Sequence, residues 1–264
     1  MIQIKNYNLF ITILLCILLL LIYNIIVKKN FEKFYNFKNL PNEYCNLIDN
    51  INISPEKGIP KIIHHIAPKD KSRWHDTWEP CLQSWLKYFP EPEYKHMMWW
   101  DTELEDIIKT DFPWFLNTFR GYDKNIKRID MVRPFFLYKY GGIYADMDYM
   151  VYKNFYNELP QDKVSTPESP YKENEFIQNA LLASPPKHYF WLLIIEEAFN
   201  TKNQHVFSAT GPRLYSSVYY KFPELVNILP INKYNPHIAD SAAFESKEII
   251  TKHLLSSVWT RQAN

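Results

Sequence analysis

Gly141-Gly142-Ile143-Tyr144-Ala145-Asp146-Met147-Asp148 is the stretch around which the rest of the chain is organised. A glycine pair, in a chain of 264 residues with only five glycines, is followed by β-formers and then by two carboxylates one residue apart. Extended from the glycines onward, this run would put Tyr144, Asp146 and Asp148 on one face and Ile143, Ala145 and Met147 on the other. Same-face neighbours lie roughly 6.6–7 Å apart, a separation at which one hydrated divalent cation and its ligand fit against both carboxylates. The alternative for D-x-D taken alone is an acidic turn at a strand end that needs no ion.

Outward from this stretch, the pattern alternates strand and helix. Upstream, residues 123–140 carry Ile126, Ile129, Val132, Phe136, Leu137 and Tyr140 at helical intervals. Pro134 interrupts them, so either a kink or a helix beginning near Arg133 is expected. Further upstream, residues 59–67 and 94–100 read as strands. Residues 76–89 read as a helix stopped by Pro90, and residues 102–109 as a helix with Thr102 as N-cap and Glu105 three positions on. Downstream, a polar, Pro-rich segment at 157–174 precedes three helical stretches at 175–183, 188–199 and 211–222. The alternation predicts an α/β fold with a mainly parallel sheet and helices on its faces. In such sheets ligands gather beyond the carboxyl ends of the strands. Asp146 and Asp148 fall at one such end, and His64 with His65 at another, as a second wall.

A chain of this length buries one good core. Thirty basic against 29 acidic side chains give no electrostatic argument for nucleic acid. Eight tryptophans and 19 tyrosines suit sugar rings and nucleobases, and equally suit ordinary cores. Residues 9–27 carry no charge; as a helix they would span roughly 28 Å, one hydrocarbon thickness, without the small residues of a cleavage site. The expected organisation is a short tail (1–8), an uncleaved transmembrane anchor (9–27), a stem (28–56) and a globular domain (57–264). Lys28, Lys29, Lys33 and Lys38 follow the span, and by the positive-inside tendency would hold the bulk of the chain in the cytoplasm. Asn52-Ile53-Ser54 is a glycosylation sequon that argues the other way. Cys45 and Cys81 are either one disulfide or two unrelated thiols.

Asp130, Arg133, the glycine pair, Asp146 and Asp148 form the series D-x-x-R, seven residues, G-G-I-Y-A-D-M-D. Here the chain closely resembles the DXD-containing sugar transferases of glycosyltransferase family 32, which include initiating α-1,6-mannosyltransferases and inositol-phosphoceramide mannosyltransferases. More distantly it is similar to the glucosyltransferase domains of large clostridial toxins. The resemblance runs from Ile59 to about Trp259. It takes in the strand Ile59-Pro60-Lys61-Ile62-Ile63-His64, the segment Asn179-Ala180-Leu181-Leu182-Ala183-Ser184, the turn Thr210-Gly211-Pro212, and a C-terminal element of His253 with Ser256-Ser257-Val258-Trp259.

The resemblance implies a GT-A fold, a nucleotide-sugar donor (GDP-mannose or a UDP-hexose), Mn²⁺ or Mg²⁺, and transfer of a hexose with retention to a glycan or glycolipid acceptor. It implies Asp148 as direct metal ligand and Asp146 beside the ribose or donor sugar and the metal's water shell. Asp130 and Arg133 would contact the donor sugar, Asn179 a donor hydroxyl, His253 the metal, and Trp259 would form a wall over the diphosphate. It also implies a type II arrangement with a lumenal catalytic domain in the Golgi or ER, and a viral or parasite source is an alternative. Outside the resemblance, Asp130 and Arg133 are equally an ordinary surface ion pair three residues apart, and His253 an ordinary histidine. Two departures stand out: Ala67, where relatives carry an aromatic that stacks on the base, and Pro134, where they carry a helix-compatible residue. The competing classes are a Mg²⁺-dependent phosphohydrolase using the same carboxylates and a non-catalytic sugar-nucleotide-binding protein.

Overall fold

The computed structural model describes Leu18 and residues 58–173, 175–240 and 246–256. The chain divides into two compact units, residues 1–46 and 47–264, and every described residue except Leu18 lies in the second. The expected anchor (9–27, Leu18 apart), the stem and Trp259 therefore lie outside the described residues. Among the described residues no helix is long and apolar enough to cross a membrane.

In chain order the elements are β1 (Ile62–Ala67), α1 (Trp78–Tyr88), β2 (Lys95–Trp100), α2 (Leu104–Asp111), α3 (Leu116–Arg120) and α4 (Asn125–Tyr140). They continue with β3 (Gly142–Ala145), β4 (Tyr149–Val151), β5 (Val164–Pro167), β6 (Leu181–Ser184), α5 (Tyr189–Thr201), α6 (Val206–Ala209), α7 (Pro212–Lys221), β7 (Val226–Leu229), α8 (Ile231–Tyr234) and β8 (Thr251–His253). Six strands make one sheet in the order β2-β1-β3-β6-β5-β7, and β4 pairs with β8 in a two-stranded ribbon. Only β6 runs against the other five in the large sheet, so the sheet is mainly parallel, as the alternation of elements predicts.

Physical reasons for the local structure are clearest next to the D-x-D run. Gly141 and Gly142 have φ of +62° and +99°, a region that costs any residue with a Cβ. A Cβ on Gly141 would fall 2.6 Å from the Pro186 nitrogen, and one on Gly142 2.6 Å from the Ile62 carbonyl oxygen. The pair is thus what lets α4 end and β3 start directly against β1. Helix α4 runs unbroken through Pro134, which is fully inside it. Of the two alternatives, a helix beginning near Arg133 does not occur; the proline leaves one carbonyl without its helical partner, that of Asp130, and burial of Met131, Val132, Phe135 and Phe136 holds the helix together.

Four other expectations are corrected. The run does not stay extended through Asp148: β3 ends at Ala145, and a turn closed by the Tyr149 N–H on the Asp146 carbonyl (3.0 Å) takes over. Residues 175–183 are not a helix but an irregular approach to β6, whose four residues are all buried; an apolar run fits a doubly buried strand as well as a helix. Helix α2 starts at Leu104 with no side-chain cap, so Thr102 and Glu105 form no capping box. Within the polar segment 157–174, β5 is a regular, fully buried strand.

His64 and His65 are core residues rather than a wall of the site. The Trp99 indole donates to His64 Nδ1 (3.0 Å), which leaves Nε2–H to donate to the Gly141 carbonyl at 2.8 Å; His65 Nδ1 bonds the Ala145 carbonyl at 2.8 Å. Burial lowers both, to about 4 and about 3, so both are neutral. Beneath the site, Trp85 is fully buried and donates to the Tyr149 carbonyl at 2.7 Å, locking α1 to the turn that carries Asp148. Cys81 on the same helix is a free, buried thiol, not half of a disulfide, and burial raises it to about 12.

Candidate active site

One cavity of about 580 Å³ opens beyond the carboxyl ends of β1, β2 and β3, where the alternation of elements places a ligand site. Ala67, Asp101, Asp130, Arg133, Asp146, Asp148, Asn179 and His253 all line it. The cavity thereby gathers the site residues expected from the sequence except His64 and His65, which are in the core, and Trp259, which lies outside the described residues.

Three elements deliver the carboxylates and their cation. Asp130 and Arg133 sit one turn apart on the buried face of α4. They are no surface pair: both are more than nine-tenths buried. Arg133 Nη2 bridges Asp130 Oδ1 at 3.0 Å and Asp146 Oδ1 at 2.9 Å, and its Nη1 donates to the Asn179 carbonyl at 2.9 Å. Its guanidinium carbon lies 4.8 Å from the centre of the Tyr144 ring. Tyr144, on β3 two residues before Asp146, donates its hydroxyl to Asp146 Oδ1. Asn179 reaches the site because β6 pairs antiparallel with β3, so the Ala180 carbonyl accepts from the Asp146 N–H at 2.9 Å.

Asp148 is held quite differently. The β4–β8 register sets Tyr149 opposite His253, with the two rings stacked at 4.9 Å. His253 Nε2 then lies 3.3 Å from Asp148 Oδ1, while the Ser256 N–H (2.7 Å) and hydroxyl (2.8 Å) donate to Asp148 Oδ2. The Trp78 indole in turn donates to the Ser256 hydroxyl at 3.1 Å. Asp146, Asp148 and His253 each offer one ligand atom, and these atoms lie within 4.8 Å of one another.

Electrostatics separate the three acids. Burial raises Asp130 to about 7, against the pull of Arg133. Burial also raises Asp146, again opposed by Arg133. Asp148 is buried as well, yet His253 and the two Ser256 donors hold it well below the usual carboxylate range. His253 is raised: burial alone would lower it, and the Asp148 carboxylate overcomes that.

The arrangement fits a divalent cation. Two carboxylate oxygens and one imidazole nitrogen, close together and with one carboxylate held ionised, are the ligand types that Mn²⁺ accepts. It also fits a polyhydroxylated ligand: Arg133 Nε is a buried donor with no hydrogen-bond partner among the described residues, and the Asn179 amide has only the Asp130 carboxylate beside it, so a ligand's oxygens would satisfy both. Sequence reasoning missed Ser256 as a partner of Asp148, Tyr144 as a partner of Asp146, and Thr210, whose hydroxyl lies 3.5 Å from Asp130 Oδ2. Only the ordered segments Thr210-Gly211-Pro212 and His253 to Ser256 hinted at them.

The cavity at the strand ends thus joins a D-x-D turn, an arginine that bridges two carboxylates and a histidine close to both Asp146 and Asp148. Residues 75–166 match the family described as "Glycosyltransferase sugar-binding region containing DXD motif". The chain is similar to curated proteins that include inositol phosphoceramide mannosyltransferases. It is 30% identical over 182 residues to a mannosyl phosphorylinositol ceramide synthase of Saccharomyces cerevisiae (66% of this chain, 46% of that protein). It is 40% identical over 92 residues to inositol phosphoceramide mannosyltransferase 3 of Schizosaccharomyces pombe (34% of this chain, 24% of that protein), and 30% identical over 192 residues to mannosyltransferase 1 of the same set (67% and 57%). The chain thus spans less than two thirds of each of these curated relatives. Among solved structures, PaToxG glycosyltransferase superposes with a TM-score of 0.49 at 18% identity, over 68% of this chain and 79% of that one.

Proposed function

We propose that this chain is a metal-dependent, retaining glycosyltransferase of the GT-A type that moves a hexose, mannose from GDP-mannose, to a glycan or an inositol-phosphate-bearing glycolipid. The observation that carries this reading is the gathering of Asp146, Asp148 and His253 beside the Asp130–Arg133 pair in one cavity. Asp148, Asp146 and His253 would hold Mn²⁺ or Mg²⁺. When bound, the ion supplies Lewis-acid stabilisation to a nucleoside diphosphate leaving group.

The chain's own residues do the rest. Asp130 accepts from a donor-sugar hydroxyl, Arg133 gives the sugar its unpartnered Nε–H, and Asn179 gives it an amide N–H from beside Asp130. Tyr144 fixes the Asp146 carboxylate so that it does not swing away from the sugar and ribose. In the transfer the acceptor oxygen bonds the anomeric carbon as the bond from that carbon to the diphosphate oxygen breaks. The acceptor proton goes to the departing diphosphate in a front-face route, or to a base after a covalent carboxylate intermediate in the other. Trp259 would wall the diphosphate, and residues 9–27 would anchor the enzyme with its catalytic domain in the Golgi or ER lumen.

A second reading, a UDP-hexose transferase on the same fold, is favoured by Ala67: it lines the cavity at the end of β1 with no ring to stack on a base. Both readings are tested by offering the full chain GDP-mannose, UDP-glucose and UDP-galactose with Mn²⁺. A thermal shift and slow hydrolysis with GDP-mannose is the expected result. The same response confined to a UDP-hexose would replace the donor, and no binding, transfer or hydrolysis by the folded chain would overturn the transferase reading itself.

A further inference from the structure

The donor machinery leaves one wall of the cavity unused, where Glu175 and Arg213 meet it. Of the arginines that line the cavity, Arg133 is shared by Asp130 and Asp146, and Arg73 is paired with Asp101 at 2.8 Å. Arg213 is different: no carboxylate among the described residues comes within the 4.0 Å of an ion pair. Its Nε is buried with no hydrogen-bond partner among the described residues, and its guanidinium lies over the Phe207 ring, 5.6 Å away, near enough to the Glu175 carboxyl for its charge to act on it.

The position itself works against the fold. Arg213 follows Pro212 in the first turn of α7, a ten-residue helix that no side chain caps. A cation there opposes the helix dipole, whereas an anion would be favoured by both the dipole and the guanidinium. Thr210, three residues earlier, touches Asp130, so this helix start borders the group proposed to hold the donor sugar.

Glu175 completes the wall. It is buried to 8% exposure, and its Oε1 accepts from the Ser169 hydroxyl (2.7 Å) and from Gln178 Nε2 (2.9 Å). The carboxylate is therefore fixed by two donors on one oxygen. Its other oxygen accepts no hydrogen bond among the described residues and faces only the charge of Arg213, which at a cavity wall leaves an acceptor for a hydroxyl. A fixed carboxylate and an unpaired guanidinium side by side match a molecule that has hydroxyls and a phosphate together.

We propose that Glu175 and Arg213 are the acceptor-specificity residues of this cavity and together recognise a polyol phosphate, the guanidinium taking the phosphate and the carboxylate a ring hydroxyl. This rests on the transferase reading for the word acceptor, but not for the binding itself. A monoesterified polyol, a lipid phosphodiester headgroup and free phosphate share this chemistry, and the experiment separates them.

The test uses the full chain, with myo-inositol 1-phosphate, glycerophosphoinositol, myo-inositol and inorganic phosphate as probes, in calorimetry and in a Mn²⁺/GDP-mannose transfer assay. Inositol 1-phosphate or glycerophosphoinositol is expected to bind at least about tenfold more tightly than inositol or phosphate alone; whichever binds better names the source. Arg213→Gln should erase that preference while leaving the KM for donor within about twofold, and Arg213→Lys should restore part of it. Glu175→Gln should weaken inositol and inositol 1-phosphate alike. A folded Arg213→Gln protein with the preference intact would overturn the proposal, as would a raised donor KM, which would assign Arg213 to the donor diphosphate. Phosphate binding as tightly as inositol 1-phosphate would overturn it too. If the chain transfers nothing, the transferase reading falls, and the calorimetric comparison still decides this one.

Discussion

Asp130 and Asp148 are both buried carboxylates in one cavity, and they are driven in opposite directions. Asp148 has partners of its own: two Ser256 donors and His253, supplied by a segment more than one hundred residues downstream. Asp130 has half of an arginine, because Arg133 Nη2 is divided between it and Asp146, and beyond that only the weaker donors Thr210, at 3.5 Å, and Asn179. One corner of the site is thus over-provided with stabilisation for negative charge and the other is short of it. The difference teaches that the two corners are built for different cargo. A carboxylate held ionised is suited to a cation. A carboxylate pushed up to about 7 beside a buried Arg133 N–H that has no partner among the described residues is suited to hydroxyls, with which it trades hydrogen bonds rather than charge.

The comparison can be broken most forcefully at Arg133. Arg133→Met leaves Asp130 and Asp146 buried with no cation between them. A folding loss of about 3–5 kcal/mol and a fall in kcat/KM of about a thousandfold are expected, read by denaturant unfolding and donor hydrolysis. A stable, active Arg133→Met protein would mean that the shared cation is not what holds the sugar corner.

Ser256→Ala probes the other corner more gently. It removes one of the two Ser256 donors to Asp148 and frees the Trp78 indole. Groups that orient a metal ligand typically count for 10–100-fold in affinity, so Mn²⁺ affinity should fall about tenfold with little change in donor binding without metal. Unchanged Mn²⁺ affinity would remove Ser256 from the account.

The smallest effects are also the most discriminating, because the two acids differ in sign. Asp130 has a folded pKa above its unfolded value, so it subtracts stability increasingly as pH rises from about 4 through about 7. Asp130→Asn should therefore be more stable than the parent by about 1–2 kcal/mol at pH 8 and converge with it near pH 4. Replacing one of two carboxylates that share a single arginine also improves the charge balance. Asp148 has a depressed folded pKa, so it contributes stability above the ordinary carboxylate range and loses it in acid. Asp148→Asn should be less stable than the parent at neutral pH, with the gap closing on acidification. Urea unfolding at several pH values in chelator checks both; shifts of the same sign would contradict the comparison.

How much of this was legible in the sequence follows from distance along the chain. Asp130 and Arg133 on one helix face, and the glycine pair ahead of two carboxylates, are local patterns and came through intact. The strand ends at β1 and β3 were legible for the same reason. The turn at Asp146 was not, because alternation of side chains persists in a sequence whether or not the backbone stays extended. Residues 175–183 were misread as helix because an apolar run before Ser184 has no period that distinguishes a doubly buried strand. Ser256 on Asp148 spans 108 positions and depends on a three-residue strand, β8, too short to leave a pattern. Pro134 looked like a breaker, yet tertiary burial outweighs one missing helical hydrogen bond.

Of all these statements, the use of Asp148 to hold a cation for sugar transfer is tested most directly by one titration. Mn²⁺ is added to chelator-treated full chain with GDP-mannose, in the parent and in Asp148→Ala, while hydrolysis and transfer are followed and circular dichroism confirms folding. Activity should rise from near zero with Mn²⁺ in the parent, vanish on adding EDTA, and fall by about a thousandfold or more in Asp148→Ala. Turnover that persists in EDTA, or a folded Asp148→Ala protein with parental activity, would contradict the account.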